Sequence, residues 1–167
     1  MKLLQGNVII VDAPSESGKT TLALHLATKY KFNYYHIKRW NFPIVGYEKE
    51  ILNFAFRNAH AYGSNFVIER LHLSEEAFAN RDNRASPYDN WKEFDQELRI
   101  KAQALNLKYN LIMCLPPKEN ISDLDTKEEA LYDEFNKIYQ ENSDIIYKYD
   151  FTEDSDYTIF DEYLESK

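Results

Sequence analysis

Four consecutive residues near the start of the chain have the types and spacing that phosphate binding requires. Gly18-Lys19-Thr20-Thr21 follows an apolar run at residues 7–11 and begins a segment with helical periodicity. Backbone N–H groups between a strand and a helix can surround a polyphosphate, and the helix dipole adds positive charge there. Lys19 would reach the outer phosphates, and the Thr20 hydroxyl would be a ligand for Mg²⁺. The phosphate-binding loop is expected to comprise Ala13, Pro14, Ser15, Glu16, Ser17, Gly18, Lys19, Thr20 and Thr21.

The loop departs from the usual glycine-rich pattern at its first position, where Ala13 stands in place of glycine. Only four glycines occur among the 167 residues, so the loop must be built with fewer of them than usual. If position 13 requires a positive φ, alanine costs about 1 kcal/mol there, whereas a negative φ makes it harmless. Gly18 lies where a side chain would collide with phosphate. The geometry of the loop therefore depends on the φ angle of Ala13.

A second cluster follows another apolar run, at residues 66–68, where Glu69 and Arg70 stand side by side. In a nucleotide site, Glu69 would hold a metal-bound water or orient the attacking phosphate. Arg70 would bridge the transferred and the acceptor phosphates. The alternative is a surface ion pair at the end of a strand. The phosphate-binding loop nearby favours the functional interpretation.

Strand-like and helix-like segments alternate along the chain, which predicts an α/β fold. The architecture expected is a three-layer α/β/α sandwich with a five-stranded parallel sheet, in a single domain over residues 1–167. Ligands of such folds bind at the carboxyl ends of the strands, so the two clusters should meet there. Strands are predicted at residues 7–11, 34–37, 65–68, 109–115 and 144–149, and helices at 18–30, 47–61, 73–80, 88–105 and 126–141, with a further docked helix within 153–165.

Composition limits the class of protein. The net charge of −8 argues weakly against a protein whose main task is to coat duplex DNA. Cys114 is the only cysteine, so no intrachain disulfide is possible. No apolar stretch near the start approaches the length of a signal peptide or a membrane span. We therefore expect a cytoplasmic protein with no membrane partner.

Three segments together resemble the thymidylate kinase branch of the P-loop nucleoside monophosphate kinases, especially its compact phage-type members. They are residues 11–21, 54–60 and 67–75. Such kinases typically show a carboxylate before the loop, a helix with an aromatic residue and an arginine, and Asp-Arg followed by an aromatic residue or histidine. The resemblance implies a P-loop NTPase fold, with ATP and Mg²⁺ as cofactors. It also implies phosphoryl transfer to a (deoxy)nucleoside monophosphate, with thymidylate as the first acceptor to consider. It also implies a possible homodimer, and the host-cell cytoplasm if this is a phage protein.

Carried over residue by residue, the resemblance assigns roles on both sides of the transferred phosphate. Asp12 and Glu69 would lie around Mg²⁺, with Thr20 as a metal ligand. Lys19 would hold the donor phosphates, and Arg70 would lie between donor and acceptor. On the acceptor side, Arg39 would bind the phosphate, Arg57 would lie near the base, Phe54 or Phe56 would form an aromatic wall, and His72 would line the site. A solvated charge beside Lys38 is the alternative for Arg39.

The sequence differs from the family pattern at several points. Glu69 stands where the family has aspartate, and Phe54 and Arg57 are three residues apart instead of four. The family carries lid arginines after the fourth strand, but residues 116–139 contain none. Such an arginine can contribute roughly 10³- to 10⁵-fold to phosphoryl transfer. Arg81 and Arg84 are the candidates to replace it, a solvated loop being the alternative.

Two other functions remain open. The first is a P-loop kinase that phosphorylates a modified base or an end within DNA, which the basic and aromatic residues at 38–40 and the missing lid arginines favour. The second is a catalytically weak nucleotide-binding module retained for interaction with a partner. His25, His36 and His60 show no metal-ligand spacing and are assigned to structure or surface, and Tyr34 is assigned to packing.

Overall fold

The computed structural model describes residues 5–37, 45–122 and 124–167, apart from the side chain of Val45. Its centre is one parallel sheet of five strands in the order β2-β3-β1-β4-β5, which confirms the predicted fold class. Arg39, predicted to bind the acceptor phosphate, lies outside the described residues. The strands are β1 (Asn7–Asp12), β2 (Asn33–His36), β3 (Asn65–Glu69), β4 (Lys108–Cys114) and β5 (Tyr147–Tyr149).

Helices cover both faces of the sheet. They are α1 (Lys19–Lys29), α2 (Val45–Tyr62), α3 (His72–Arg81), α4 (Trp91–Ala104), α5 (Thr126–Glu141) and α6 (Thr158–Ser166). Alternate residues of β1 point to opposite faces. Val8 and Ile10 pack in a core with residues of α2 to α5, whereas Ile9 and Val11 pack in a core with residues of α1 and α6. Because both faces of the sheet are buried, its central strands consist of consecutive apolar residues.

Three elements begin at least three residues later than the sequence predicts. Helix α4 begins at Trp91 instead of residue 88, because the Asn90 side chain caps it by accepting hydrogen bonds from two backbone N–H groups. The last strand is confined to Tyr147–Tyr149. The last helix begins only at Thr158, where the Asp154 carboxylate accepts hydrogen bonds from the next two N–H groups of the helix. Residues 150–157 form turns instead.

The order of the strands determines where a ligand can bind. The crossover from β1 leads to β2 on one side of β1, whereas the crossovers from β3 and β4 lead in the opposite direction. A crevice forms at such a switch point, at the carboxyl ends of the strands. Val11 pairs with Glu69 in the sheet, so the two clusters lie side by side there, as expected. None of the described helices combines the length and the apolar character needed to cross a membrane.

Candidate active site

The loop between β1 and α1 turns through two residues with left-handed backbone angles, Glu16 at φ 57° and Gly18 at φ 82°. Ala13 is not among the residues with positive φ and is buried in the core with α1, so alanine causes no left-handed strain there. At Gly18 a Cβ atom would lie 3.2 Å from the Phe151 ring, in addition to the unfavourable φ. The loop therefore depends on glycine at position 18 and not at position 13.

Lys19 is nearly buried at the start of α1, with 7% of its surface exposed. Its Nζ lies 3.6 Å from Glu69 Oε1. Burial and the positive charge of Arg70 lower the pKa of Lys19, although the carboxylates of Glu69 and Asp12 oppose that shift. The ammonium group is held by a fixed partner at the inner end of the loop, beside the strand end that carries Asp12.

Glu69 is the centre of the hydrogen-bond network. It is only 1% exposed and accepts a hydrogen bond of 2.9 Å from the Thr20 hydroxyl on Oε1. Its Oε2 accepts a hydrogen bond from the Tyr34 hydroxyl and lies 3.2 Å from His36 Nδ1. Burial would raise the pKa of Glu69, but these hydrogen bonds and the Lys19 charge outweigh burial and lower it. Glu69 is therefore held as a carboxylate.

Asp12, at the end of β1, uses only one of its carboxylate oxygens in the described structure. Oδ1 accepts hydrogen bonds from the Leu71 backbone N–H at 2.9 Å and from the Ser74 hydroxyl at 2.5 Å. Oδ2 is buried and accepts no hydrogen bond from the described residues. A buried carboxylate oxygen without a partner is uncommon, because its desolvation is uncompensated. It is available to a ligand.

Arg70 links the two clusters through its backbone and its charge. Its φ is 69°, and its N–H donates a hydrogen bond of 3.1 Å to the Val11 carbonyl. A left-handed arginine is strained by about 1 kcal/mol and persists where neighbouring structure fixes it. Its positive charge acts on both Lys19 and Tyr34.

The oxygen atoms at this position fit a divalent cation. Mg²⁺ prefers oxygen ligands and keeps several waters, so it needs few protein groups. The Thr20 hydroxyl donates a hydrogen bond to Glu69, which leaves the lone pairs of the hydroxyl oxygen for a metal. The unpartnered Asp12 Oδ2 would accept a hydrogen bond from a metal-bound water. Within the described part of the chain, no cluster of three or more histidine, cysteine or acidic side chains forms a conventional metal site.

A cavity of about 520 Å³ opens above the loop. One side consists of loop and α1 residues, including Lys19 and Thr21. The other side consists of aromatic residues that the sequence prediction missed, Tyr149, Phe151 and Tyr157, together with Ser155. Tyr157 has a left-handed φ of 64° and its ring stacks on that of His25 at 3.9 Å. The cavity therefore has the predicted phosphate-binding loop on one side and a wall of aromatic side chains on the other.

Of the predicted acceptor residues, those that the structure describes on α2 and at the start of α3 do not line the cavity above the loop. His72 is completely buried, with its Nε2 3.0 Å from Asp95 Oδ1, so it does not line the site in this structure. Phe54 packs edge-to-face on Phe66, in the first half of β3 and away from the carboxyl end. Arg57 is exposed, two residues before Ala59, which contacts Gly6 ahead of β1. Phe56 is buried in the core.

The two arginines expected to replace the lid lie on α3 and just after it. Helix α3 begins beside Asp12, and Arg81 ends it about 14 Å farther along, by the rise of 1.5 Å per residue. Arg81 Nε donates a hydrogen bond of 2.7 Å to the neighbouring Asp82. Arg84 reaches back along the helix, with Nη2 3.7 Å from Glu75 Oε2. Of the two, Arg84 comes nearer to the strand ends.

A buried carboxyl that the sequence prediction missed lies near the start of α2. Glu48 is 4% exposed, and its Oε2 accepts a hydrogen bond of 2.5 Å from the Tyr88 hydroxyl. Burial and the carboxylates of Glu75 and Asp12 raise the pKa of Glu48 to about 7, against the opposing effect of the Tyr88 hydrogen bond. Glu48, Glu75 and Asp12 thus form an acidic group beside the strand ends, in which Glu75 and Asp12 act on Glu48.

The raised pKa makes stability depend on pH. Between about pH 4.5 and pH 7 the folded protein keeps a proton on Glu48 that the unfolded chain releases, so stability falls as pH rises through this window. Glu48→Gln removes that titration and keeps an acceptor for Tyr88. In urea unfolding, the stability of the variant relative to wild type should rise by about 2–3 kcal/mol between pH 5 and pH 8. Glu50→Gln, at an exposed site of the same helix, is the control. A constant difference across this range would contradict the prediction.

Comparisons with known proteins support the fold. No protein-family model and no curated protein matches the sequence. Among solved structures, the YorR protein of Bacillus subtilis, in complex with phosphorylated GDP, is similar at 16% identity and a TM-score of 0.62, over 94% of this chain and 93% of that one. Deoxyadenosine kinase of M. mycoides with bound dCTP is similar at 15% identity and a TM-score of 0.55, over 96% and 100%. The chain therefore shares its α/β fold, built on a parallel sheet, with these two proteins.

Proposed function

We propose that the protein transfers the γ-phosphoryl group of ATP to a (deoxy)nucleoside monophosphate, thymidylate being the first acceptor to test. The observation that carries the proposal is the contact of Lys19 and Thr20 with the buried Glu69, at the floor of a cavity of about 520 Å³. A loop that offers backbone N–H groups, a lysine and a hydroxyl to one point is suited to polyphosphate.

The residues would act by position and charge, without a covalent intermediate. An acceptor oxygen forms a bond to the γ-phosphorus. The bond between the γ-phosphorus and the β–γ bridging oxygen breaks, and ADP leaves. Lys19 would neutralise charge on the donor phosphates, held in place by Glu69. Arg70 would stabilise the charge shared between donor and acceptor. Mg²⁺, held by Thr20 with Asp12 and Glu69 around it, would supply further neutralisation of the phosphate oxygens.

Phosphate transfer can be measured directly. The purified chain is incubated with γ-labelled ATP, Mg²⁺ and a panel of ribo- and deoxynucleoside monophosphates, and label in the diphosphate products is counted. A DNA oligonucleotide in a parallel reaction tests the DNA kinase alternative. Transfer to a monophosphate is expected. Label in DNA alone would replace the proposal with that alternative, and ATP binding without any transfer would leave only a nucleotide-binding module.

A second candidate acceptor is a nucleoside, and the acidic group beside the strand ends favours it. Glu75 and Asp12 lie close enough to Glu48 that their charges raise its pKa. Asp12 and, above about pH 7, Glu48 would repel an acceptor that carries its own phosphate dianion, whereas a neutral hydroxyl acceptor avoids that repulsion. Nucleosides therefore belong in the acceptor panel. Label in a monophosphate product would identify this activity.

The aromatic wall should contribute to donor affinity. Phe151→Ala removes a ring from the cavity above the loop, where a nucleotide base would stack. We expect the KM for ATP to rise about 3- to 10-fold with kcat changed less than about 2-fold, because stacking on a base contributes to binding and not to the transition state. Phe54→Ala, which shortens an exposed aromatic residue away from the loop, should leave the KM for ATP unchanged. Equal effects of the two variants would contradict this role.

A further inference from the structure

A second cavity of about 440 Å³ lies at the opposite end of the sheet from the phosphate-binding loop. It borders the first residues of β4 and the segment that leads into β5, and the last helix closes one side. Strand β5 pairs with β4 only from Ile112 onward, so the stretch from Lys108 to Leu111 has no strand beside it on this side. The short β5 therefore leaves a polar recess in the fold.

Basic side chains gather around this recess, although the chain as a whole carries a net charge of −8. Arg99, Lys108 and Lys167 line it, against one acidic residue, Asp144. No carboxylate of the described residues lies within 4.0 Å of Lys108 Nζ, although Lys108 is partly buried. Arg99 is anchored by hydrogen bonds of 2.7 Å to Asp95 and 2.9 Å to the Ile145 carbonyl. The recess therefore holds one fixed and two unneutralised cations.

The recess also presents an oriented amide. Asn110 is 8% exposed, and its Oδ1 accepts a hydrogen bond of 2.8 Å from the Tyr163 hydroxyl. That bond turns Nδ2 away from Tyr163, and Nδ2 has no acceptor among the described residues. The Tyr163 ring stacks on Tyr147 at 3.9 Å, which keeps its hydroxyl in place. A donor held in place by a stacked, partly buried tyrosine is prepared for an acceptor on a ligand.

We propose that this recess is a second binding site, for the phosphate group of a small phosphorylated molecule. Phosphate oxygens would accept hydrogen bonds from the Asn110 amide and the Arg99 guanidinium, and Lys108 would neutralise their charge, which is the combination of fixed donor and cation that phosphate monoesters require. The volume of about 440 Å³ leaves room for the organic part of the molecule beside the phosphate. The proposal is independent of phosphoryl transfer, because it uses none of the residues of the phosphate-binding loop.

The test uses the full-length ¹⁵N-labelled protein, with thymidine monophosphate, glucose 6-phosphate and inorganic phosphate as probes. Saturable shifts of the Asn110 side-chain amide and of the Leu111 backbone amide are expected with the two esters. Lys108→Glu should weaken that binding at least 10-fold. Lys137→Glu, the same charge change at an exposed site on α5, should leave it within about 2-fold.

Three outcomes would overturn the proposal. The first is a response confined to Gly18 and its neighbours in the loop, which would place all phosphate binding in the candidate active site. The second is an equal loss of binding in both charge variants, which would indicate an effect of net charge only. The third is inorganic phosphate binding as tightly as the esters, which would make free phosphate the ligand. A spectrum of Lys108→Glu that retains the wild-type dispersion excludes misfolding as the cause of lost binding.

Discussion

Replacement of Lys19 by alanine is expected to lower the rate of phosphoryl transfer by about 100- to 1,000-fold while leaving the fold intact. The ammonium group is held 3.6 Å from Glu69 at the floor of the cavity, so it would meet the donor phosphates without rearrangement. A charge fixed in advance in a largely buried site stabilises developing negative charge far better than a mobile surface lysine does.

The fold should tolerate the loss of Lys19, because Glu69 keeps its hydrogen bonds from Thr20 and Tyr34 and its contact with His36. Steady-state kinetics and thermal unfolding of the same preparation separate the two effects. Lys137→Ala removes a lysine at an exposed site and should change neither quantity. Turnover of the Lys19 variant at the wild-type rate would remove the loop from the catalytic mechanism.

The sheet could be predicted from the sequence because strands buried on both faces consist of consecutive apolar residues. Residues 8–11 of the first predicted strand are all apolar, and such runs are typical of central parallel strands. Boundaries were less certain where a tertiary contact decides them. The last helix begins at Thr158 because Asp154 satisfies its first N–H groups, and a hydrogen bond of that kind has no periodicity to reveal it.

The inner half of the site was predictable and the outer half was not. Lys19, Thr20 and Glu69 follow strand ends that the parallel sheet must bring together. Tyr34 and His36 also contact Glu69, but they belong to β2, where their alternation resembles ordinary packing. Pairing of β2 with β3 sets His36 opposite Glu69, and that register is a property of the folded sheet alone.

His72 shows how a motif can suggest the wrong environment. It follows Arg70 by two residues, where the family resemblance expects a residue lining the acceptor site. In the structure it is completely buried, hydrogen-bonded to Asp95 and surrounded by the rings of Trp91 and Phe94. The first turn of α3 directs the His72 side chain toward α4, whose residues surround it. Sequence adjacency to the site therefore did not imply access to it.

The variant Asp12→Asn is expected to lose activity with little loss of stability, and so to separate the chemical role of Asp12 from its structural role. The amide oxygen of asparagine can accept the two hydrogen bonds that Leu71 and Ser74 donate to Oδ1. An NH₂ group would then replace Oδ2, the buried oxygen without a partner. The free energy of unfolding should change by less than about 1 kcal/mol, because no existing hydrogen bond is lost.

Activity of Asp12→Asn should nevertheless fall about 10- to 100-fold, the range for groups that orient the waters or ligands of a bound metal. An NH₂ group at the Oδ2 position cannot accept a hydrogen bond from a metal-bound water, and the negative charge beside Lys19 is gone. Ser74→Ala is the matched control, since it removes one hydrogen bond to Oδ1 and leaves Oδ2 unchanged. It should lower stability by about 1 kcal/mol with turnover close to wild type. If the asparagine variant keeps full activity, or if the Ser74 variant loses as much activity, then Asp12 acts only by holding α3 against β1.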